Sequence, residues 1–393
     1  RYVWDGRVQA EGYSPYQFPP KAPELVKLRQ VGTEMYRNVW RFINRKEYIT
    51  VYPPGAQLAY AGIWRVVGDS VTGFKWALVL AELLGAAMLW QLLRHFGQPP
   101  ERLLIYLWSP LLIFEVAHAG HVDALMLPLL IAALWARVKE RHVLLGVVLA
   151  GATLIKFFPA LLLPALIPWP PRWSWRTWQP AIKMLAAFAL TVALAYAPYL
   201  FWGAGVIGFL PLYFNENFNL GLARQIFELA DALSWQRARL ANVVTFGGLA
   251  IISAYFVWKP LPLESEGHAG KNVLVRGLWL IGWFTLTTQN LFPWYLLWLL
   301  PLIVILLEPG RFLGFKLAST TAWFIFTGTV MLAYVFFVQW RVVPWAQAAE
   351  FWPLYALLLL SVIGVLKRPF YDQARSPLPA GDGPGVRESR SSS

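Results

Sequence analysis

The sequence predicts an all-α, polytopic membrane protein, with about 11 helices near the roughly 20-residue length that crosses hydrocarbon. Three observations carry this. Of the 393 residues, 58% are hydrophobic and 14% charged, with a mean hydropathy of +0.48. A soluble domain carries roughly 25% charged residues. The 22 Trp and 16 Tyr suit anchoring of helices at the membrane interface. The apolar runs recur along the chain, separated by short basic or Pro-rich loops.

The elements follow in order. Residues 1–51 are the long polar stretch ahead of the apolar runs, and they are expected to form an extracytoplasmic loop over the active site. Residues 52–67 are apolar but, at about 16 residues, short of a crossing, which predicts a juxtamembrane or re-entrant helix. The transmembrane domain is expected over 68–366. Its spans are Trp76–Leu93, Leu103–Ala117, Ala124–Ala136, Val143–Ile155, Phe157–Ile167 and Ile182–Leu200, then Leu240–Trp258, Val273–Thr288, Trp294–Leu307, Leu317–Val338 and Phe351–Leu366. Phe201–Arg239 reads as a second long polar loop. Residues 367–393, rich in Ser, Gly and Pro, are expected to be a disordered cytoplasmic tail.

The net charge of +13 fits cytoplasmic loops better than nucleic acid. One alternate set of loops holds Arg94 and Arg102, Arg137, Lys139 and Arg141, Arg172 and Arg176, Lys259, Lys271 and Arg276, Arg311 and Lys316, and Lys367 and Arg368. That set is assigned to the cytoplasm. An odd number of spans results, so a first helix ahead of Arg1 is expected. Cysteine is absent, which excludes disulfides and thiolate metal sites.

The opposite set of loops holds the unusual polar residues. Charged groups near hydrocarbon are costly and generally line cavities. Phe114–Leu125 carries Glu115, His118, His121 and Asp123 at the outer end of a span. These groups suit a sugar or phosphate, and His118 and His121 with Asp123 also have a loose metal-ligand spacing. Helix capping is the plainer reading of Asp123. Lys156 stands in ATLIKFFPALLLP. It suits a lipid phosphate as a point charge, or it snorkels from a helix end. Asp5, between Trp4 and Arg7, is either a general base or a salt-bridged loop former. Trp4, Tyr16, Tyr52, Trp294 and Tyr295 are expected against a sugar face. Interfacial anchoring competes for Trp294 and Tyr295, and helix initiation competes for the Tyr52-Pro53-Pro54 turn.

The stretches RYVWDGRVQAEGYSPY, VYPPGAQLAYA, AHAGHVDALMLP, GVVLAGATLIKFFPALLLPAL and FPWYLLWLLPL occur in that order. Together they resemble integral-membrane glycosyltransferases of the GT-C type, in particular the polyprenyl-phosphate-mannose-dependent α-mannosyltransferases of glycosyltransferase family 87 and the α-1,6-mannosyltransferases. The resemblance implies a hexose, with mannose expected, carried on a polyprenyl-phosphate donor. It implies a glycan or glycolipid acceptor, inverting displacement at the extracytoplasmic face of the cell membrane, and no nucleotide or resident cofactor. Asp123 then matches the acidic residue of the second outer loop, while Lys156, with Arg7, His118 and His121, serves the donor phosphate. Acidic residues of the family stand a few positions before the Arg-Tyr-x-Trp-Asp-Gly run, so the base is expected upstream of Arg1 with Asp5 as its neighbour. A carrier or flippase without chemistry is the alternative, and it would show internal repeats and charges in both leaflets.

Overall fold

A computed structural model describes residues 1–170, 174–202, 204–213, 216–261, 268–307, 319–339 and 341–366. The expectations for Arg172, Arg311, Lys316, Lys367, Arg368 and the 367–393 tail fall outside the described residues. The longer helices are α1 (Tyr2–Ala10), α2 (Pro54–Val67), α3 (Val71–His95), α4 (Asp123–Val138), α5 (His142–Ile155), α6 (Trp175–Tyr196), α7 (Ala223–Ala232), α8 (Arg237–Trp258), α9 (His268–Thr287), α10 (Leu300–Leu306), α11 (Ser319–Thr329) and α12 (Pro344–Leu366). No strand joins them among the described residues.

Among the described residues, five segments are long and apolar enough to cross a membrane: Val71–His95, Trp175–Phe201, Arg237–Trp258, Thr320–Gln339 and Pro344–Ile363. Several other expected spans are broken. Leu103–Ala117 divides into Leu103–Leu107, Pro110–Leu112 and a wide π-turn over Ile113–His118. Pro110 has no N–H to continue the ladder, and the π-turn widens the backbone just before the polar knot. Phe158–Leu162 and Pro293–Trp298 are 3-10 turns, each starting at or beside a proline. Irregular backbone at membrane depth is tolerated where protein buries it or a cavity meets it. These breaks lie beside the polar residues of the candidate site.

The opening stretch differs from the expected loop. Tyr2–Ala10 is a helix that ends at Glu11, with Gly12 at φ +84° turning the chain. It packs tightly on α2, where a Cβ at Gly6 would sit 2.5 Å from the Tyr60 carbonyl oxygen. Arg7 Nη1 donates to Asp69 Oδ2 at 2.6 Å and clamps α1 to the far end of α2. The expected loop over 201–239 likewise contains α7, which buries Ala223, Phe227 and Ala230, spaced as one face of a helix.

Basic side chains meet at one end of the bundle. Lys139 Nζ lies 3.3 Å from His95 Nδ1. Arg102 donates to the carbonyls of Val304 and Ile305 at 3.5 and 3.4 Å. Arg276 donates to the Phe256 carbonyl at 3.4 Å and also reaches that of Lys259. The N-termini of α3 and α4 and the C-termini of α5, α6 and α9 lie at the other end, with the breaks and the polar knot.

Candidate active site

Asp123 and Lys156 form the centre. Asp123 is the first residue of α4 and is fully buried. Lys156 follows the last residue of α5 in extended conformation, φ −154° and ψ 137°. Stopping α5 at Ile155 swings the Lys156 side chain toward the N-terminus of α4. Its Nζ donates to both carboxylate oxygens of Asp123 at 2.9 Å. Trp298 Nε1 donates to Asp123 Oδ1 at 2.6 Å. Phe158, Trp294, Tyr295 and Trp298 surround the ammonium, with ring centroids 5.1–5.9 Å from Nζ.

Burial pushes the Lys156 ammonium down from its ordinary value, and the Asp123 carboxylate opposes that. A buried pair of this kind stabilises only when the lone pairs and protons around it are also satisfied. Here the carboxylate has Lys156, Trp298 and the positive end of α4. The ammonium keeps one of its three N–H groups for a ligand.

His121 continues the site. Its ring stacks on Trp294 at 3.9 Å and 23°, and its Nε2 is 3.3 Å from Glu115 Oε2. Burial pushes its pKa down to about 4, so the ring is neutral at pH 7. Glu115 accepts at Oε1 from the Tyr334 hydroxyl, 2.8 Å away and 219 residues on in the chain. His118 is exposed, packs against Phe114 and accepts from Lys75 Nζ only through its backbone carbonyl. Among the described residues, no group of three or more His, Cys, Asp or Glu side chains is placed to hold a metal ion.

A cavity of about 720 Å³ opens beside Lys156. Its lining includes the apolar Phe157, Phe158, Leu161, Phe246, Phe336 and Phe337. The rest mixes polar and aromatic groups: Arg1, Asn44, Arg45, Glu216, Asn217 and Asn290, with Tyr52, Tyr213 and Trp294. Arg45 Nη2 pairs with Glu216 Oε2 at 2.5 Å and lies 4.9 Å from the Phe209 ring centroid. A lining that combines many aromatic and apolar side chains with a few charged and amide groups suits an amphiphile whose polar head lies at Lys156.

The structure thus brings Asp123, Lys156, His121, Trp294 and Tyr52 to one place and sends other expected residues elsewhere. Asp5 is 1% exposed and takes donors from Arg1 (2.8 Å), Thr50 (3.0 Å) and Gln57 (3.4 Å). It stands behind Arg1 and does not line the cavity. Arg7 is committed to Asp69, which also accepts from Trp64 Nε1 at 2.7 Å. Trp4 is buried in the core. Tyr16 donates to the Tyr52 carbonyl at 2.6 Å and packs edge-on against Tyr199, bracing the turn that presents Tyr52. Tyr295 is 1% exposed and stacks on Trp298 at 4.6 Å, while its hydroxyl bonds that of Tyr213.

Arg45, Tyr213, Glu216, Asn290 and Trp298 were not singled out from the sequence. Trp298 lies one helical turn beyond Trp294, and that spacing was the available signal. Arg45 is one of many basic residues in its stretch, with no local mark to separate it.

Residues 1–170 match a protein-family model described as alpha-(1->6)-mannopyranosyltransferase, N-terminal domain. No curated protein matches the chain, nor does any solved structure. The first 170 residues are thus similar to this mannosyltransferase domain, and the match supports a glycosyltransferase that moves mannose. Asp123 and Lys156 fall inside the matched stretch, whereas Trp294 and Trp298, which complete their surroundings, lie beyond it.

Proposed function

We propose that this protein transfers a mannosyl residue from polyprenyl phosphate to a glycan or glycolipid acceptor, by inverting displacement. The observation that carries the reading is the Asp123–Lys156 pair on the wall of an aromatic, largely apolar cavity. The prenyl chain lies along the Phe246, Phe336 and Phe337 wall. Its phosphate meets the remaining N–H of Lys156, and the hexose lies toward Tyr52 and Trp294.

In this reading the acceptor hydroxyl attacks the anomeric carbon as the bond to the phosphate oxygen breaks. Polyprenyl phosphate leaves with the electron pair, and the hydroxyl proton passes to a carboxylate. Phosphate is already a good leaving group, so the main tasks are positioning and charge. Asp123 fixes Lys156, and Lys156 offsets charge growing on the leaving oxygens. Asp5 fixes Arg1, which lines the cavity. The reading needs no nucleotide and no resident cofactor.

The basic end of the bundle supports a cytoplasmic position for that end, and hence an active site on the outer face of the cell membrane. The test supplies the full-length protein in detergent with polyprenyl-phosphate-mannose and a mannoside acceptor. Release of polyprenyl phosphate with inversion at the anomeric carbon is the expected result. No release with any lipid-linked hexose would overturn the proposal.

A further inference from the structure

A second hollow, of about 180 Å³, lies beside the large cavity, between residues 217–224, residues 332–336 and the first turns of α12. One water needs only about 15 Å³, so this space admits something larger. Asn217, Phe218 and Phe336 line both the hollow and the cavity, and Asn217 is exposed at the rim they share.

The hollow holds a buried carboxyl. Glu350, in the second turn of α12, is 1% exposed, and its Oε1 accepts from Asn219 Nδ2 at 2.6 Å. Its Oε2 takes no donor among the described residues and is not closed off. One turn earlier, Gln347 Oε1 accepts from Arg224 Nη2 at 2.6 Å, while Gln347 Nε2 donates to the Leu220 carbonyl at 3.1 Å. The Arg224 guanidinium keeps its other N–H groups, and Asn219 keeps Oδ1. The frame around them is tight. Thr329 Oγ1 donates to the Glu350 carbonyl at 2.8 Å, and a Cβ at Gly221 would lie 2.8 Å from the Phe351 ring. An open carboxyl oxygen inside an apolar helix is costly, and such residues mark ligand sites.

The chemistry selects the ligand class. A phosphate would meet the Glu350 carboxyl, and an ammonium would meet the Arg224 guanidinium. A neutral polyol suits both, because each hydroxyl can donate to one and accept from the other. Leu332 and Val335 supply apolar surface for its C–H faces. Phe218 is one ring removed from Trp294: it stacks on Phe292 at 4.5 Å, and Phe292 stacks on Trp294 at 4.3 Å. A sugar in the hollow is therefore not the one that reacts beside Lys156 but one further along the same glycan.

We propose that this hollow is a subsite for the acceptor glycan, with Glu350 accepting from, and Arg224 donating to, the hydroxyls of a sugar behind the attacking one. The proposal rests on the reading of the protein as a mannosyltransferase and deepens it, because it makes the acceptor an oligosaccharide.

The test uses the full-length protein in detergent with polyprenyl-phosphate mannose and soluble α-linked mannosides of increasing length, from one mannose to five. Wild-type kcat/KM is expected to rise about 10-fold or more at the length that first reaches the hollow. Glu350→Gln puts an NH₂ where Oε2 stood and is expected to remove most of that rise. The KM for the donor should move by less than about twofold, which a general loss of structure would not allow. Arg224→Met, at a half-buried site, should act in the same direction and replaces Glu350→Gln if that variant fails to fold. A variant that retains the wild-type rise overturns the inference alone. So does a wild type equally active at every length, which would leave the hollow to a zwitterionic lipid headgroup. A wild type that transfers to no mannoside overturns the functional reading and this inference with it.

Discussion

Asp123 and Lys156 are worth more as a pair than either is alone. Removing one partner leaves a buried charge, which costs about 3–5 kcal/mol. Lys156→Met and Asp123→Asn are therefore each expected to lower the melting temperature of the detergent-solubilised protein. The double variant should recover most of that loss while transfer stays at least about 100-fold down, because packing is restored and the phosphate contact is not. Near-wild-type transfer by the double variant would reduce the pair to a packing device. His121 supplies a second test. Its pKa falls from 6.5 unfolded to about 4 folded, so the unfolded chain binds the extra proton between those values. The neutral ring thus contributes stability that is whole above pH 6.5 and declines as pH falls toward 4, by up to about 3 kcal/mol. Glu115 lies 3.3 Å from the same ring, and the charges of Asp123 and Lys156 also act on it, so the comparison is with His121→Phe, which keeps the stack on Trp294. That variant should show a shallower acid loss. An unchanged slope would assign the effect to the carboxylates.

Helix contacts set where these side chains stand. α5 ends at Ile155 and so delivers Lys156, and its own place is fixed by α6. At Gly146 a Cβ would lie 2.2 Å from the Met184 carbonyl oxygen and 2.9 Å from Ala187 Cβ. Backbone cannot yield as a flexible side chain can, so Gly146→Ala should cost about 1–3 kcal/mol and lower the melting temperature. It should also slow transfer, since α5 carries the ammonium. An unshifted melting curve would mean that the two helices are not this close. The breaks at Ser109-Pro110, Lys156-Pro159 and Phe292-Pro293 belong to this scale. Their prolines and apolar periodicity were visible in the sequence, but a short apolar run reads alike whether it is one span or two pieces. Which runs would break, and around what, depended on packing between segments distant in the chain.

At the scale of the molecule, the claim to test is that one end of the bundle is basic and the other carries the cavity. The absence of Cys makes single-cysteine labelling direct. Asn44 and Asn217 are exposed residues of the cavity lining, whereas Glu101 and Arg141 are exposed at the basic end. With an impermeant maleimide on intact cells, Asn44→Cys and Asn217→Cys are expected to label. Glu101→Cys and Arg141→Cys should label only after permeabilisation. The reverse pattern would place the cavity in the cytoplasm and remove the outer-face proposal. Labelling of one cavity residue from each side would contradict the fold itself.

By itself the sequence determined the solvent of this protein, its helical class and the end of the bundle where ionisable groups collect. Those follow from composition and from residues close in the chain, which periodicity and charge report directly. It also singled out Asp123 and Lys156, because a charge inside an apolar run is conspicuous wherever the run folds. Only the tertiary structure decided that these two meet across 33 residues, and that Trp298 joins them from 175 residues away. It alone turned Asp5 and Arg7 to Arg1 and Asp69. A hydrogen bond forms between neighbours in space, and local patterning carries no record of which distant residue the fold will bring within 3 Å.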